Sequence, residues 1–218
     1  DGGLTQRAQL NSYTIVKYFG EDKDVIVPSK YKGLEVSKIG SFAFADLEIN
    51  NLYFSKTVKE LQEFAFENSV VKNVYYDGSL EEWCSIIFSN KHSNPLNLGG
   101  SFHLLNENSA WYEITEIVVP STISTINAYA FQGFNKLTSV EIPSSIIHIG
   151  ASAFEQCLKL EKVYYDGTVE SWLNFDLGDS YSNPMLYAKQ IYMMNENSEW
   201  DVVKEIVIPD GTLEIPQY

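Results

Sequence analysis

Three histidines, His92, His103 and His148, are the side chains best suited to proton transfer near neutral pH. Catalysis would require them to converge with an acid, a nucleophile or a metal ion. Part of the chain recurs 89 residues further on, and there Tyr181 and Tyr192 replace His92 and His103, as expected of surface aromatics. His148 occupies an exposed strand position, because the equivalent position elsewhere holds polar residues, namely Lys38, Glu60 and Thr125. The pattern therefore indicates no catalytic or ligating histidine.

The thiols and carboxylates likewise indicate neither a catalytic site nor a metal site. Cys84 and Cys157 stand far apart in the sequence, so neither has the partner that a metal site needs, and both are expected to be buried free thiols. Asp176 and Asp179 could bind a hard cation such as Ca²⁺, but residues 87–90 of the earlier copy lack both acids. The chain has no glycine-rich phosphate loop and no His-Glu-x-x-His motif. We therefore predict no enzyme, no cofactor and no metal.

Composition narrows the class of protein further. The 218 residues carry a net charge of −14, and 44% of them are hydrophobic. That balance is typical of a folded chain with a core, and it excludes a disordered one. The acidity argues against nucleic acid and anionic membrane partners, both of which need clustered Lys and Arg. No apolar run reaches the roughly 18 residues of a transmembrane helix, so no membrane insertion is expected.

A short repeat must position any site. The phrase at 136–154 recurs at 117–131, 25–44 and 52–66, with 22 to 23 residues between the closing Ala-Phe pairs. In one copy Val140 and Ile142 alternate with Glu141, which is the period of a strand with one buried face. Pro143 ends that strand. A unit this short cannot bury its own apolar face, so copies must stack into a mainly β solenoid.

One copy departs from the consensus. At 52–66, Ser55 replaces the Pro and Gln62 replaces the Gly that other copies carry. These exchanges predict turns of a different kind in that copy.

A longer period overlies the short one. Residues 74–126, here named the first module, align without a gap on 163–215, the second module, and 20 of 53 positions are identical. Each module carries an insertion, at about 79–113 and 168–202. Ser79 and Glu82 form a capping-box sequence, which predicts a helix through about Phe88. The second copy, starting at Thr168, is predicted to lack the box but keeps an acid in the first turn, at Glu170. Residues 102–105 and 191–194 are predicted to be hairpin strands.

The pattern Leu-x-x-Val-x-Ile-Pro-x-x-Ile-x-x-Ile-Gly-x-x-Ala-Phe at 137–154, followed by Cys157 and Leu160, resembles the BspA-type leucine-rich repeat. The resemblance spans roughly residues 13–218. It implies a curved, right-handed leucine-rich-repeat solenoid on a secreted or cell-surface bacterial protein. It also implies adhesion or protein–protein binding without catalysis.

The domain organisation follows from the repeats. Residues 1–12 carry no pattern and are expected to be a loose segment, while 13–218 form a single solenoid. The chain starts at Asp1, which suggests that a leader or a larger protein precedes it. It ends where the pattern requires another Ala-Phe, so we expect an array cut within a repeat. We expect a monomer.

The strongest candidate site is a surface. The position between the two buried strand residues points outward in every copy, and stacking places these positions side by side. This outward column comprises Ile26, Tyr53, Tyr75, Val118, Glu141, Tyr164 and Val207. Large exposed apolar patches mark binding sites, and Tyr adds a hydrogen-bonding tip. Two alternatives stay open: tyrosine simply suits strands, or the insertions fold over the column.

The tryptophans complete the candidate set. Trp83 and Trp172 are expected to pack the inserted helices onto the solenoid. Trp111 and Trp200 lie beside polar Asn-Glu-Asn-Ser turns, where they could be exposed and bind. Two functions remain: binding of a protein, such as a host or matrix protein, or binding of a glycan through exposed Tyr and Trp.

Overall fold

The computed structural model describes residues 4–9 and 11–205. Its strands are β1 (Leu4–Gln9), β2 (Ser12–Tyr18), β3 (Asp24–Ile26), β4 (Lys30–Tyr31), β5 (Leu34–Ile39), β6 (Glu48–Phe54), β7 (Glu60–Leu61), β8 (Val70–Tyr76), β9 (Ile87–Phe88), β10 (Ser101–Leu105), β11 (Trp111–Glu113), β12 (Glu116–Val118), β13 (Thr125–Ile126), β14 (Ser139–Ile142), β15 (His148–Ile149), β16 (Lys162–Tyr165), β17 (Asp176–Leu177), β18 (Gln190–Met194) and β19 (Trp200–Val202). Its helices are α1 (Leu80–Cys84) and α2 (Val169–Leu173), with 3₁₀ turns at Lys91–Ser93, Ser180–Ser182 and Pro184–Leu186.

Eight parallel strands stack into two sheets of the same design. The first runs β3, β6, β8, β10 and the second runs β12, β14, β16, β18, all parallel. Each sheet closes with one antiparallel strand, β11 or β19. Parallel stacking of successive chain segments is the arrangement of a solenoid, and the described part makes about seven turns of it. The predicted mainly β solenoid is confirmed.

A second set of strands forms the other layer. Strands β2, β5, β7 and β9 pair in parallel, and so do β13, β15 and β17. Strand β1 adds to β2 in antiparallel register. Residues 4–9 therefore form a paired strand, and the loose segment expected over residues 1–12 is wrong for them. Backbone pairing with β2 stabilises these residues although they lack the repeat pattern.

The Ala-Phe pairs fill the interior between coils, as their sizes suggest. Phe44 and Phe66 are fully buried, and their rings stack with centroids 5.1 Å apart. The Phe44 backbone N–H donates to the Ala65 carbonyl at 2.8 Å, so the corners of neighbouring coils are joined as well. The corner is tight: Phe42 and Asp46, on either side of Phe44, both have a left-handed backbone, with φ of 56° and 61°.

The turns of the copy at 52–66 do not differ from the others, contrary to expectation. The Val58 N–H donates to the Ser55 carbonyl at 2.9 Å, just as Ile146 donates to Pro143 at 3.0 Å. The Ala65 N–H likewise donates to the Gln62 carbonyl at 3.1 Å. The bonds run through backbone carbonyls, which Ser and Gln supply as well as Pro and Gly do.

The inserted helices begin as predicted but end earlier. The capping box of Ser79 and Glu82 is present, with bonds of 3.1 and 2.9 Å. Helix α1 ends at Cys84 instead of Phe88, because residues 87–88 form strand β9 beside β7. Helix α2 also has a capping box, in which Ser171 bonds the Thr168 backbone in place of Glu. The prediction that this copy lacks the box is therefore wrong, since a serine hydroxyl can make the same bond.

The first insertion packs against the coil that follows it. The Asn94 side chain donates to the Tyr129 carbonyl at 2.7 Å, and Phe102 contacts Phe134 with ring centroids 4.9 Å apart. The inserted segment is thus part of the continuous core. No helix among residues 4–9 and 11–205 is long and apolar enough to cross a membrane.

Candidate functional site

The three histidines lie apart on different coils. His92 Nδ1 lies 3.1 Å from Glu67 Oε2, and His148 Nδ1 lies 2.7 Å from Asp176 Oδ2. His103 stacks on Tyr75. Within the described residues no three His, Cys, Asp or Glu side chains group to hold a metal ion. Each histidine therefore makes its own contact between neighbouring coils, and the three do not form a common site.

The Asp176 and Asp179 carboxylates contact other side chains and backbone groups of the protein. Asp179 accepts bonds from the Ser152 N–H at 2.8 Å and from the Ser152 hydroxyl at 2.9 Å. Burial alone raises the pKa of Asp179, but the bonds from Ser152, Ser182 and Tyr181 outweigh it, and the net pKa is lowered. Asp176 instead faces His148. Each of the two acids therefore joins two coils, through a different partner.

Both cysteines are buried free thiols, which confirms the prediction. Burial raises the pKa of Cys84 to about 12. Burial also raises the pKa of Cys157, outweighing a backbone hydrogen bond that lowers it. Because a thiolate is the reactive form, these side chains are inert packing groups.

The outward column exists, and in the first sheet it is a continuous aromatic stack. Parallel registers place Ile26 beside Tyr53, Tyr53 beside Tyr75 and Tyr75 beside His103. The Tyr53 and Tyr75 rings stack at 4.5 Å, and the Tyr75 and His103 rings stack at 4.4 Å. These three rings are half-buried, whereas Ile26 is 68% exposed. Strand register alone thus builds a flat platform of rings.

Trp111 of the hairpin strand β11 packs against this stack. Its ring meets Tyr75 edge-on at 5.3 Å, with an interplanar angle of 75°, and meets Tyr53 at 6.3 Å. Trp111 is still 38% exposed. The insertion therefore covers part of the column, as one alternative supposed, but leaves an open aromatic surface at its edge.

The second sheet repeats the arrangement with one change. Val118 lies beside Glu141, Glu141 beside Tyr164, and Tyr164 beside Tyr192. Tyr164 stacks on Tyr192 at 4.8 Å and meets Trp200 edge-on at 5.3 Å. Glu141 thus takes the place that Tyr53 has in the first sheet. The remaining column member predicted from sequence, Val207, lies outside the described residues.

A groove of about 200 Å³ opens beside the first stack. Its walls are the ends of three neighbouring strands and the hairpin tryptophan, and the lining includes Ile26, Pro28, Tyr53, Tyr75, Asp77 and Trp111. A second groove, of about 360 Å³, lies at helix α2 and includes Ile147, Tyr165, Ser171 and Phe175. The first groove is the one that coincides with the predicted column.

Two features of this surface were not predicted from the sequence. His103 and Tyr192 extend the outward columns, and the signal was their place in the inserted strands, which continue the main sheets. A second aromatic row joins Phe42, Phe64 and His92, with centroids 5.2 and 6.0 Å apart. Its signal was an aromatic two residues before the Phe of the first two Ala-Phe pairs, namely Phe42 and Phe64.

Comparison with known proteins is consistent with this architecture. The family model for the BspA-type leucine-rich repeat region matches six copies over residues 25–111 and 106–182. A search of curated proteins found no match. Among solved structures, a T. pallidum leucine-rich repeat protein is 16% identical with a TM-score of 0.42, over 85% of this chain and 90% of that one.

Two further solved structures are similar. A leucine-rich repeat protein from Bacteroides ovatus is 17% identical with a TM-score of 0.40, over 74% of this chain and 45% of that one. A leucine-rich cell surface protein from Faecalibacterium prausnitzii is 12% identical with a TM-score of 0.26, over 83% and 97%. The repeat family is typical of protein-interaction modules. With six repeats matched across more than half of its length, the chain belongs to the BspA-type leucine-rich repeat family.

Proposed function

We propose that this chain is a non-catalytic binding module of a secreted or cell-surface bacterial protein, and that it mediates adhesion through protein–protein contact. The observation that carries the proposal is the stacked outward column, in which Tyr53, Tyr75 and His103 form one platform and Tyr164 and Tyr192 form another. Tyrosine provides large contact area at low entropic cost and keeps a hydroxyl for hydrogen bonding.

Exposed aliphatic residues beside the rings support the same surface. Ile26 is 68% exposed and Val118 is 63% exposed, each at the edge of its stack. Exposed apolar side chains that adjoin exposed rings form a contiguous patch, which is typical of an interaction surface. A partner that covered the rings together with Ile26 or Val118 would remove a continuous apolar area from water.

The rigidity of the scaffold also supports binding. The columns stand on strands whose inward residues, such as Leu52 and Val74, are fully buried. Rings held in register by backbone hydrogen bonds lose little freedom when a partner docks. The mode of binding we propose is therefore shape-complementary contact with a preformed face.

A direct test begins with a screen of the chain against extracellular matrix proteins and a glycan array. The triple variant Tyr53→Ala, Tyr75→Ala, Tyr164→Ala is expected to weaken binding to the protein partner while its circular dichroism stays that of the parent. A matched variant changes three aromatics elsewhere, Phe42→Ala, Tyr129→Ala and Tyr181→Ala, and should keep the affinity. Unchanged affinity in the folded column variant would refute this face as the binding surface.

A carbohydrate ligand is the second candidate, and the groove beside Trp111 favours it. Tyr53, Tyr75 and Trp111 could stack on a sugar ring, while Asp77 could accept bonds from its hydroxyls. Competition separates the two functions. Binding to a protein partner that survives a large excess of simple glycans excludes the carbohydrate site, and its loss would support that site.

A further inference from the structure

The groove beside Trp111 has aromatic walls set nearly at right angles. Tyr53 and Tyr75 lie parallel within 13°, and Trp111 stands at 75° to Tyr75 and at 64° to Tyr53. A flat sugar platform needs one exposed ring face, whereas walls at an angle enclose a compact group. Ring faces carry negative quadrupole potential and attract a cation. Tyr53 and His103 cover the two faces of Tyr75, so the face left for a cation is that of Trp111, which is 38% exposed.

Three carboxylates surround these rings. Asp77 lines the groove itself. Asp24 lies on strand β3 next to the column, and Glu113 is the register partner of His103. Burial is the main cause that raises the pKa of the Tyr75 hydroxyl, and Tyr53, Asp24 and Glu113 add to it. The Tyr75 hydroxyl therefore lies in a negative electrostatic field.

These acids form hydrogen bonds with neutral groups. Asp77 accepts the Lys56 backbone N–H at 2.6 Å, and Asp24 accepts the Asn51 amide at 2.7 Å. Glu113 accepts the Ser101 hydroxyl. Four lysines form ion pairs with other acids, namely Lys23 with Glu48, Lys38 with Glu60, Lys59 with Glu82 and Lys189 with Glu161. Asp77 thus contributes a carboxylate to the groove, and Asp24 and Glu113 add negative charge near Tyr75.

We propose that this aromatic and acidic groove binds a lysine or arginine side chain of the protein partner. The inference rests on the proposed function and names the chemistry of the contact. Arginine suits the site best, because its guanidinium stacks on a ring while it bonds a carboxylate. The net charge of −14 steers a basic segment toward the chain. A neutral sugar could bond a carboxylate through its hydroxyls but would gain no attraction between opposite charges.

The second sheet carries a related but altered site. Trp200 and Tyr164 repeat the edge-on pair, and Asp166 occupies the place of Asp77 and accepts the Ser144 N–H. Glu141 stands where Tyr53 stands in the first sheet, so a carboxylate replaces one ring. This site keeps the attraction for a cation and loses one aromatic wall. The two sites can therefore be compared within one molecule.

The test uses the full chain and short peptides, followed by NMR of the Trp111 indole N–H, assigned with Trp111→Phe. The probe is acetyl-Gly-Arg-Gly-amide, and the matched control replaces Arg with citrulline, which keeps the shape and loses the charge. We expect the arginine peptide to bind more tightly and added salt to weaken it. Tyr75→Leu and Asp77→Asn should each weaken binding about 2- to 5-fold. Tyr181→Leu, on another face, should leave binding unchanged.

Two results would overturn the proposal. One is equal binding of the citrulline peptide. The other is unaltered binding in both Tyr75→Leu and Asp77→Asn, judged folded by their NMR spectra. A neutral disaccharide that shifts the Trp111 signal while the arginine peptide does not would overturn it as well. If a protein partner depends on the tyrosines but its binding ignores these peptides, the proposed function stands and the cation site falls.

Discussion

The indole N–H of Trp83 donates a hydrogen bond of 2.7 Å to the carbonyl oxygen of Ala130, 47 residues further along the chain. Trp83 belongs to helix α1, and Ala130 to the Ala-Phe corner of a later coil. The Trp83 ring is fully buried and contacts Phe102 at 4.4 Å. One side chain thus joins the helix, the inserted strand and the next coil, so the insertion and the solenoid should unfold together.

Changing Trp83 to Phe should therefore be costly. The exchange leaves a buried carbonyl without its donor, at about 1–3 kcal/mol, and adds a small cavity. Urea unfolding followed by circular dichroism would measure the loss. The control is Trp172→Phe, where the tryptophan is only half-buried and a smaller loss is expected. Equal losses at the two positions would contradict a special role for the Trp83 bond.

Gly133 should reject any side chain. It has a φ of 74°, and an added Cβ would lie 1.7 Å from the Leu96 carbonyl oxygen of the insertion. Gly133→Ala should cost about 4 kcal/mol or more, because backbone must move. Gly33, at a φ of 86°, has nothing within 4 Å of its Cβ position, so Gly33→Ala should cost only about 1–2 kcal/mol. Thermal unfolding of both variants checks the difference, and similar melting temperatures would refute it.

The stacked rings of Tyr53 and Tyr75 should be energetically coupled. A double-mutant cycle with Tyr53→Leu and Tyr75→Leu should give an interaction free energy of about 0.5–1.5 kcal/mol, measured by urea unfolding. Tyr53 and Tyr164 belong to different sheets, so the corresponding cycle should be additive. A coupled control cycle, or an additive Tyr53–Tyr75 cycle, would show that stacking contributes nothing measurable.

Asp179 should make folding acid-sensitive. Its pKa is lowered in the folded state, so its stabilisation is complete above the ordinary aspartate pKa and disappears as the pH falls through the lowered value. Asp179→Asn should lower the melting temperature at neutral pH and flatten its dependence on pH in that acidic range. Asp22→Asn, at an exposed residue, serves as the control. A parallel pH profile for Asp179→Asn and the parent would contradict this assignment.

Cys84 and Cys157 should resist alkylation in the folded protein. Burial raises the pKa of Cys84 to about 12 and raises that of Cys157, so the thiolate is scarce and out of reach. Mass spectrometry after iodoacetamide treatment at about pH 8 should find both thiols free, and both labelled in urea. Ser109→Cys, at an exposed turn, should react at once and serves as the control. Rapid labelling of native Cys84 would show that helix α1 opens readily.

The repeat made the solenoid predictable. Alternation at Val140, Glu141 and Ile142 specifies a strand with one buried face, and the unit is too short to fold alone. The same register argument predicts Tyr53 beside Tyr75, and the parallel pairing of β6 with β8 has them there. The predicted end of helix α1 was wrong because helix-forming signals compete with strand pairing there. The helix ends at Cys84, since residues 87–88 pair with β7.

The sequence by itself thus determined the stacked strands, the buried Phe corners and the outward column, because each follows from a period repeated many times. Only the tertiary structure decided that Trp111 stands edge-on against Tyr75, and that Asp77 shares their groove while Asp24 and Glu113 lie beside Tyr75. Those contacts join segments that follow no common period. Their geometry depends on how the hairpin folds back onto the sheet, which is set by packing between distant residues.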